Sequence, residues 1–175
     1  KGFEPTPKYL AGWMAAPAEY ALWLATIEMA QDRICRPRTK LKNERTPLFS
    51  VLIPVYKVDT CFLRRTLDSL INQTFDNWEA CVVCADPDDE KNKALLDSYA
   101  SKDQRFHVVH AENKGISENS NVALALAQGE FIALLDHDDE LTPFALQKMA
   151  ETIARNDEAD FLYSDKDSID DKSTL

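Results

Sequence analysis

At 175 residues the chain is long enough to bury a core without disulfides or a structural metal, as one domain or one domain with an appendage. Its formal net charge of -10 argues against a nucleic-acid backbone as partner, because phosphate surfaces call for a basic face. The charge is uneven: residues 1–45 hold eight Lys/Arg and five Asp/Glu, the rest twelve and twenty-five, which marks the first stretch as a separate module.

In chain order, residues 1–17 contain Pro5, Pro7 and Pro17 and read as irregular. The spacing of Tyr20, Trp23, Leu24, Ile27 and Ile34 predicts a helix over Ala18–Ile34, with Arg33, Arg36 and Arg38 at or past its end. Its polar face also carries Glu19, Glu28 and Asp32, which favours packing on protein over lying on an anionic membrane. Residues 36–47 read as a linker. The expected division is thus a helical appendage and linker over 1–46 and a main domain over 47–175.

From Ser50 the pattern alternates between short apolar runs and helical spacings. Strands are predicted at Ser50–Tyr56, Glu79–Ala85, Phe106–His110, 131–135 and Ala159–Tyr163. Helices are predicted at Cys61–Asn72, Lys91–Ala100, Ser117–Ala127, with Ser117 as cap, and Thr142–Arg155, with Pro143 in its first turn. Such alternation specifies an α/β fold with a mainly parallel, Rossmann-like sheet and helices on both faces. The strand at 131–135 is apolar throughout and is expected to be central.

In such sheets ligands bind outside the carboxyl ends of the strands. The residues expected there are Pro54–Val55–Tyr56, Asp86–Asp89, Asn113–Lys114–Gly115, Asp136–Asp139 and Ser164–Asp165. Four acids crowd into 136–140, where like charges call for a cation, and hard divalent cations take oxygen ligands. Asp136 and Asp138, two apart, share a side if the backbone is extended. The competing reading is a solvated turn with Asp139 or Thr142 capping the next helix. There is no Gly-x-Gly-x-x-Gly and no Walker-type loop, so a glycine cradle for phosphates is not expected.

The four cysteines, Cys35, Cys61, Cys81 and Cys84, do not make a zinc site. Cys81 and Cys84 are three apart in a strand and face opposite ways, so buried free thiols are expected. No apolar stretch is long enough to span a bilayer, no secretory pattern opens the chain, and reduced thiols suit the cytoplasm. A cytoplasmic location is expected, with the inner face of the membrane as the place where the helix at 18–34 would bind lipid or a further domain. His107 and His110 read as structural. His137, the middle residue between two site acids, should point away from them.

The runs Val51–Tyr56, Asn72–Gln73–Thr74, Asn113–Lys114–Gly115 and Leu134–Asp139 resemble family 2 glycosyltransferases over about Pro47 to Asp167. The resemblance implies a GT-A fold, a nucleotide-diphosphate sugar donor of the UDP or dTDP type, Mn²⁺ or Mg²⁺, a glycan acceptor, and transfer with inversion. It implies that Pro54, Val55 and Tyr56 line the nucleoside pocket and that Asp86 bonds the base. Lys114 and Gly115 join the donor site, Asp136 faces ribose and metal, and Asp138 ligates the metal. The chain departs from the family pattern at Pro87–Glu90 and at Ser120, where many members carry Arg. The general base is expected beyond Leu175, and Asp165, Asp167, Asp170 and Asp171 read as an acceptor-side loop. A nucleotidyltransferase and a catalytically incomplete nucleotide-binding module are the alternatives. The first would call for a Gly-rich loop after the first strand, which Tyr56–Asp59 lacks.

Overall fold

The structure, a computed structural model, describes residues 46–156, 158–164, 166, 168 and 169. The helix expected over Ala18–Ile34 and the acids Asp165, Asp167, Asp170 and Asp171 lie outside the described residues. The described residues up to Asp160 belong to one compact unit.

Four strands and four helices alternate: β1 (Phe49–Val55), α1 (Thr60–Ile71), β2 (Trp78–Cys84), α2 (Glu90–Lys102), β3 (Phe106–His110), α3 (Ile116–Leu126), β4 (Phe131–Leu134) and α4 (Ala145–Arg155). All ladders are parallel, in the order β3-β2-β1-β4. The chain steps outward through β2 and β3, then returns across the sheet to lay β4 beside β1. With right-handed crossovers this puts α1 and α2 on one face and α3 on the other.

Side-chain alternation explains both cores. Leu52, Cys81 and Val83 face Ala123 of α3, with Leu126 and Ala127 at the margin. On the other face Val51, Ile53 and Val82 are fully buried with Leu63, Leu67 and Leu70 of α1. Each of those leucines contributes about 1.5–3 kcal/mol relative to exposure. Cys81 and Cys84 are buried, free and on opposite faces, as the strand period requires, while Cys61 is free and exposed. Burial pushes the Cys81 thiol up to about 11.

Below the carboxyl edge, the Trp78 and Tyr99 rings each meet Phe106 edge-on at 5.6 Å, and Arg105 stacks 3.8 Å from the Trp78 centroid. The Tyr99 hydroxyl donates to Asp68 at 2.5 Å, tying α2 to α1. Burial and that carboxylate raise Tyr99 to about 12. At the amino-terminal edge Glu79 is buried. Burial works to raise its carboxyl, but donors from Ser50 and the Gln128 amide, together with His107, hold it below the ordinary value. His107 and His110 pair with Glu79 and Asp97, which gives both histidines a structural partner.

Four expectations are corrected. The segment Ala159–Tyr163 is not a strand: the Ala159 amide bonds the Asn156 carbonyl, closing the turn after α4, and no ladder receives the segment among the described residues. β4 is not central but pairs only with β1 among the described residues; Ile132 is 43% and Leu134 79% exposed. A short apolar run looks the same in either place, because strand order is decided by the crossovers. Ser117 does not cap α3. Gly115 does, at φ +93, because Asn113 Oδ1 accepts from the Gly115 amide and from Asn119 Nδ2 and so shapes the turn. Finally, α4 begins at Ala145, past Thr142 and Pro143, and neither Asp139 nor Thr142 caps it. Its first-turn amide at Leu146 is accepted by Gln73 Oε1, brought from the end of α1.

Candidate active site

The strand order reverses between β1 and β4, and ligands of open α/β sheets bind at the carboxyl ends flanking that point. The sequence-predicted residues fall there in two groups. Pro54 and Val55 close β1 with Tyr56 just past it, and past the neighbouring β2 comes half-buried Asp86. The Ala85 amide donates to the Val55 carbonyl at 2.8 Å, which draws these two ends together.

Lys57 follows Tyr56 at φ +49, the one positive φ outside glycine among the described residues. An L side chain enters that region at a cost of about 1–2 kcal/mol, and such strain concentrates at functional sites. The conformation places the Lys57 ammonium 5.1 Å from the Tyr56 ring centroid. Tyr56, with a smaller push from Asp86, holds that ammonium above its ordinary value. A cation, an aromatic ring and a carboxylate therefore share this rim. No sequence signal singled out Lys57, since the turn lacks the glycine that usually marks a positive φ.

Past β4, the Leu135 amide bonds the Leu52 carbonyl, and the chain then turns sharply, with the Asp139 amide donating to the Asp136 carbonyl at 3.1 Å. Asp136 and Asp138 are thus held by a turn around His137 and not by extended backbone, which corrects the premise that placed them on one side. Both are exposed. Neither side chain enters a hydrogen bond or ion pair among the described residues. The His137 ring turns inward, its Nδ1 lying 2.8 Å from the Pro54 carbonyl, where it donates in the protonated-Nδ1 tautomer. That contact joins the ends of β1 and β4 across the switch point. The His137 carbonyl accepts from Thr66 of α1 at 2.9 Å.

Lys114 and Gly115 lie on the same carboxyl edge but follow β3, which β2 and β1 separate from β4. Both are exposed, and a Cβ at Gly115 would meet nothing within 4 Å. Among the described residues no group of three or more His, Cys, Asp or Glu is placed to hold a metal. Asp136 and Asp138 are two carboxylates, too few for a metal site built from protein alone; they could hold a cation only with further oxygen ligands from a bound molecule. No helix among the described residues is long and apolar enough to cross a membrane.

The family model described as "Glycosyl transferase family 2" matches residues 50–173. The protein y4gI of Sinorhizobium fredii is 35% identical over 159 residues, which are 90% of this chain and 17% of that protein. Chondroitin synthase of Escherichia coli is 28% identical over 156 residues, covering 86% of this chain and 22% of the synthase. The chain therefore spans about a fifth of the length of these relatives. Among solved structures, residues 1–349 of TarS from S. aureus, in complex with UDP-GlcNAc, superpose with a TM-score of 0.57 at 27% identity, covering 63% of this chain and 32% of that one.

Proposed function

The chain belongs to glycosyl transferase family 2, and on that premise we propose that residues 47–175 form the donor-binding part of a glycosyltransferase. The donor is a nucleoside-diphosphate sugar of the UDP or dTDP type, the acceptor a saccharide or glycan, and the transfer inverts the anomeric carbon. The acceptor oxygen bonds that carbon as the bond to the diphosphate breaks, the electron pair leaves with the diphosphate, and the acceptor proton goes to a base. No described residue is assigned as that base. The nucleotidyltransferase alternative loses its support with family membership.

The observation that carries this reading is the meeting of Tyr56, Lys57, Asp86, Asp136 and Asp138 at the carboxyl edge where β1 and β4 diverge. Pro54, Val55 and Tyr56 wall the nucleoside. Asp86 accepts from a base N–H or ribose hydroxyl. Lys114 and Gly115 extend the donor site along the edge. Asp136 serves ribose and cation, and Asp138 the cation, Mn²⁺ or Mg²⁺, which supplies charge neutralisation of the leaving diphosphate. The setting is cytoplasmic, where Cys81 and Cys84 stay reduced.

Two measurements check the proposal. In a thermal-shift panel, UDP with Mn²⁺ should raise the melting temperature by about 5–10 °C at about 100 times its Kd. No shift with any nucleoside diphosphate, with or without metal, overturns donor binding and leaves an interaction module. Separately, Asp86→Ala should weaken UDP about tenfold, because a lost charge-assisted hydrogen bond is worth about 1.5 kcal/mol or more. That loss should be the same with and without Mn²⁺. UDP binding at the parent's affinity would move the base contact to another residue.

A further inference from the structure

α1 buries apolar Leu63, Leu67 and Leu70, yet beside them it buries Thr66 and Ser69, and Gln73 just past its end. The 66, 69, 73 spacing sets these three in a row along one side of the helix. Buried polar groups are costly unless bonded, so the partners of this row are informative. All of the row's long-range bonds reach main-chain atoms of one segment, 137–146. Thr66 Oγ1 donates to the His137 carbonyl at 2.9 Å. Ser69 Oγ accepts from the Leu141 amide at 3.1 Å. Gln73 Nε2 donates to the Thr142 carbonyl at 2.8 Å, and Gln73 Oε1 accepts from the Leu146 amide at 3.1 Å. The Thr74 amide extends the row to the Pro143 carbonyl at 2.7 Å.

The segment so held begins between the two site acids. His137 is fixed by its carbonyl to Thr66 and by its ring to Pro54, and Asp136 and Asp138 are its immediate neighbours. We infer that Thr66, Ser69 and Gln73 are positioning residues for the acid pair: a buried polar row on α1 that sets where the Asp136–Asp138 turn stands against the end of β1. The row touches neither carboxylate and acts through backbone, so it fixes position whatever side chain stands at 137. The inference rests on the assignment of Asp136 and Asp138 to a cation and a diphosphate.

Thr66→Val keeps shape and removes the hydroxyl; Thr66→Ser restores it; Gln73→Leu cuts the row at its other end. Two readouts are needed on the full 175-residue chain. In ligand-free hydrogen exchange, amides of 137–146 should exchange about tenfold faster in Thr66→Val and Gln73→Leu, with β2 and α2 unchanged. In calorimetry with UDP, the factor by which Mn²⁺ raises affinity should fall about tenfold in Thr66→Val, the loss typical of residues that orient metal ligands, and return in Thr66→Ser. Exchange at the parent's rate shows that the row does not hold the segment, and the inference falls. Faster exchange with an unchanged Mn²⁺ factor shows a structural row only, and it falls too. If the parent itself shows no Mn²⁺ factor, the assignment of the acid pair has failed, and the positioning role fails with it.

Discussion

Asp138→Asn is expected to abolish the Mn²⁺-dependent part of UDP affinity. Two carboxylates bind a divalent cation weakly on their own, and on the proposed assignment the donor's phosphate oxygens would complete the shell. Cation and nucleotide then bind cooperatively, each raising the other's affinity by the same factor, in the range of roughly 5–150 for coupled sites. Asp138 is exposed and without a partner among the described residues, so its charge is free for this role and the substitution disturbs no packing. The melting temperature of the unliganded protein should stay put, and metal-free UDP affinity should remain within about twofold. Calorimetry of UDP with and without Mn²⁺ on both proteins decides the matter. An equal metal factor in the two would leave the acidic turn as solvated surface.

Gly129→Ala should destabilise the protein by about 2–4 kcal/mol. Gly129 lies between α3 and β4, and its amide donates to Ser50 Oγ at 2.7 Å. A Cβ there would stand 2.5 Å from that hydroxyl and 2.7 Å from both the Leu48 carbonyl oxygen and the Ser50 amide nitrogen. Two of these three atoms are backbone of the segment leading into β1, so no rotamer change relieves the clash. The damage spreads, because Ser50 Oγ also donates to buried Glu79, whose Oε1 accepts from the Gln128 amide. Urea denaturation measures the loss. Combining it with Ser50→Gly removes the hydroxyl contact but not the backbone ones, so the double variant should recover little. A Gly129→Ala stability within about 0.5 kcal/mol of the parent would show that β4 slides along β1 at no cost.

The contrast between these two sites shows what the sequence revealed. Asp136 and Asp138 stand out because a charge cluster after an apolar run is a local pattern. So do the four strands and four helices, whose periods are carried by neighbouring residues. Gly129 was legible only as punctuation beyond a helix; its steric reason lies at Ser50, 79 positions earlier. The same holds for the row on α1. Thr66 and Ser69 read as ordinary helix residues among leucines, although polar residues at helical spacing inside an apolar face were a usable signal. The false fifth strand, the misplaced centre of the sheet and the cap of α4 share one cause. Each depended on which distant groups supplied hydrogen bonds, and the Gln73 side chain capping α4 from the end of α1 has no local trace.

The strand order also governs time. Phe49 pairs with Trp78 on one side and with Phe131 on the other. The second pairing closes a loop roughly three times longer, at an added entropy of about 1 kcal/mol. β1, β2 and β3 are therefore expected to zip first through their short crossovers, with β4 docking later onto that ladder. By the same logic β4, an edge strand like β3 but closing the longer loop, is expected to detach early. The turn bearing Asp136 and Asp138 is then expected to form late in folding. A ligand that joins that turn to the end of β1 should then slow unfolding more than it changes the folding rate, which stopped-flow unfolding with and without UDP measures.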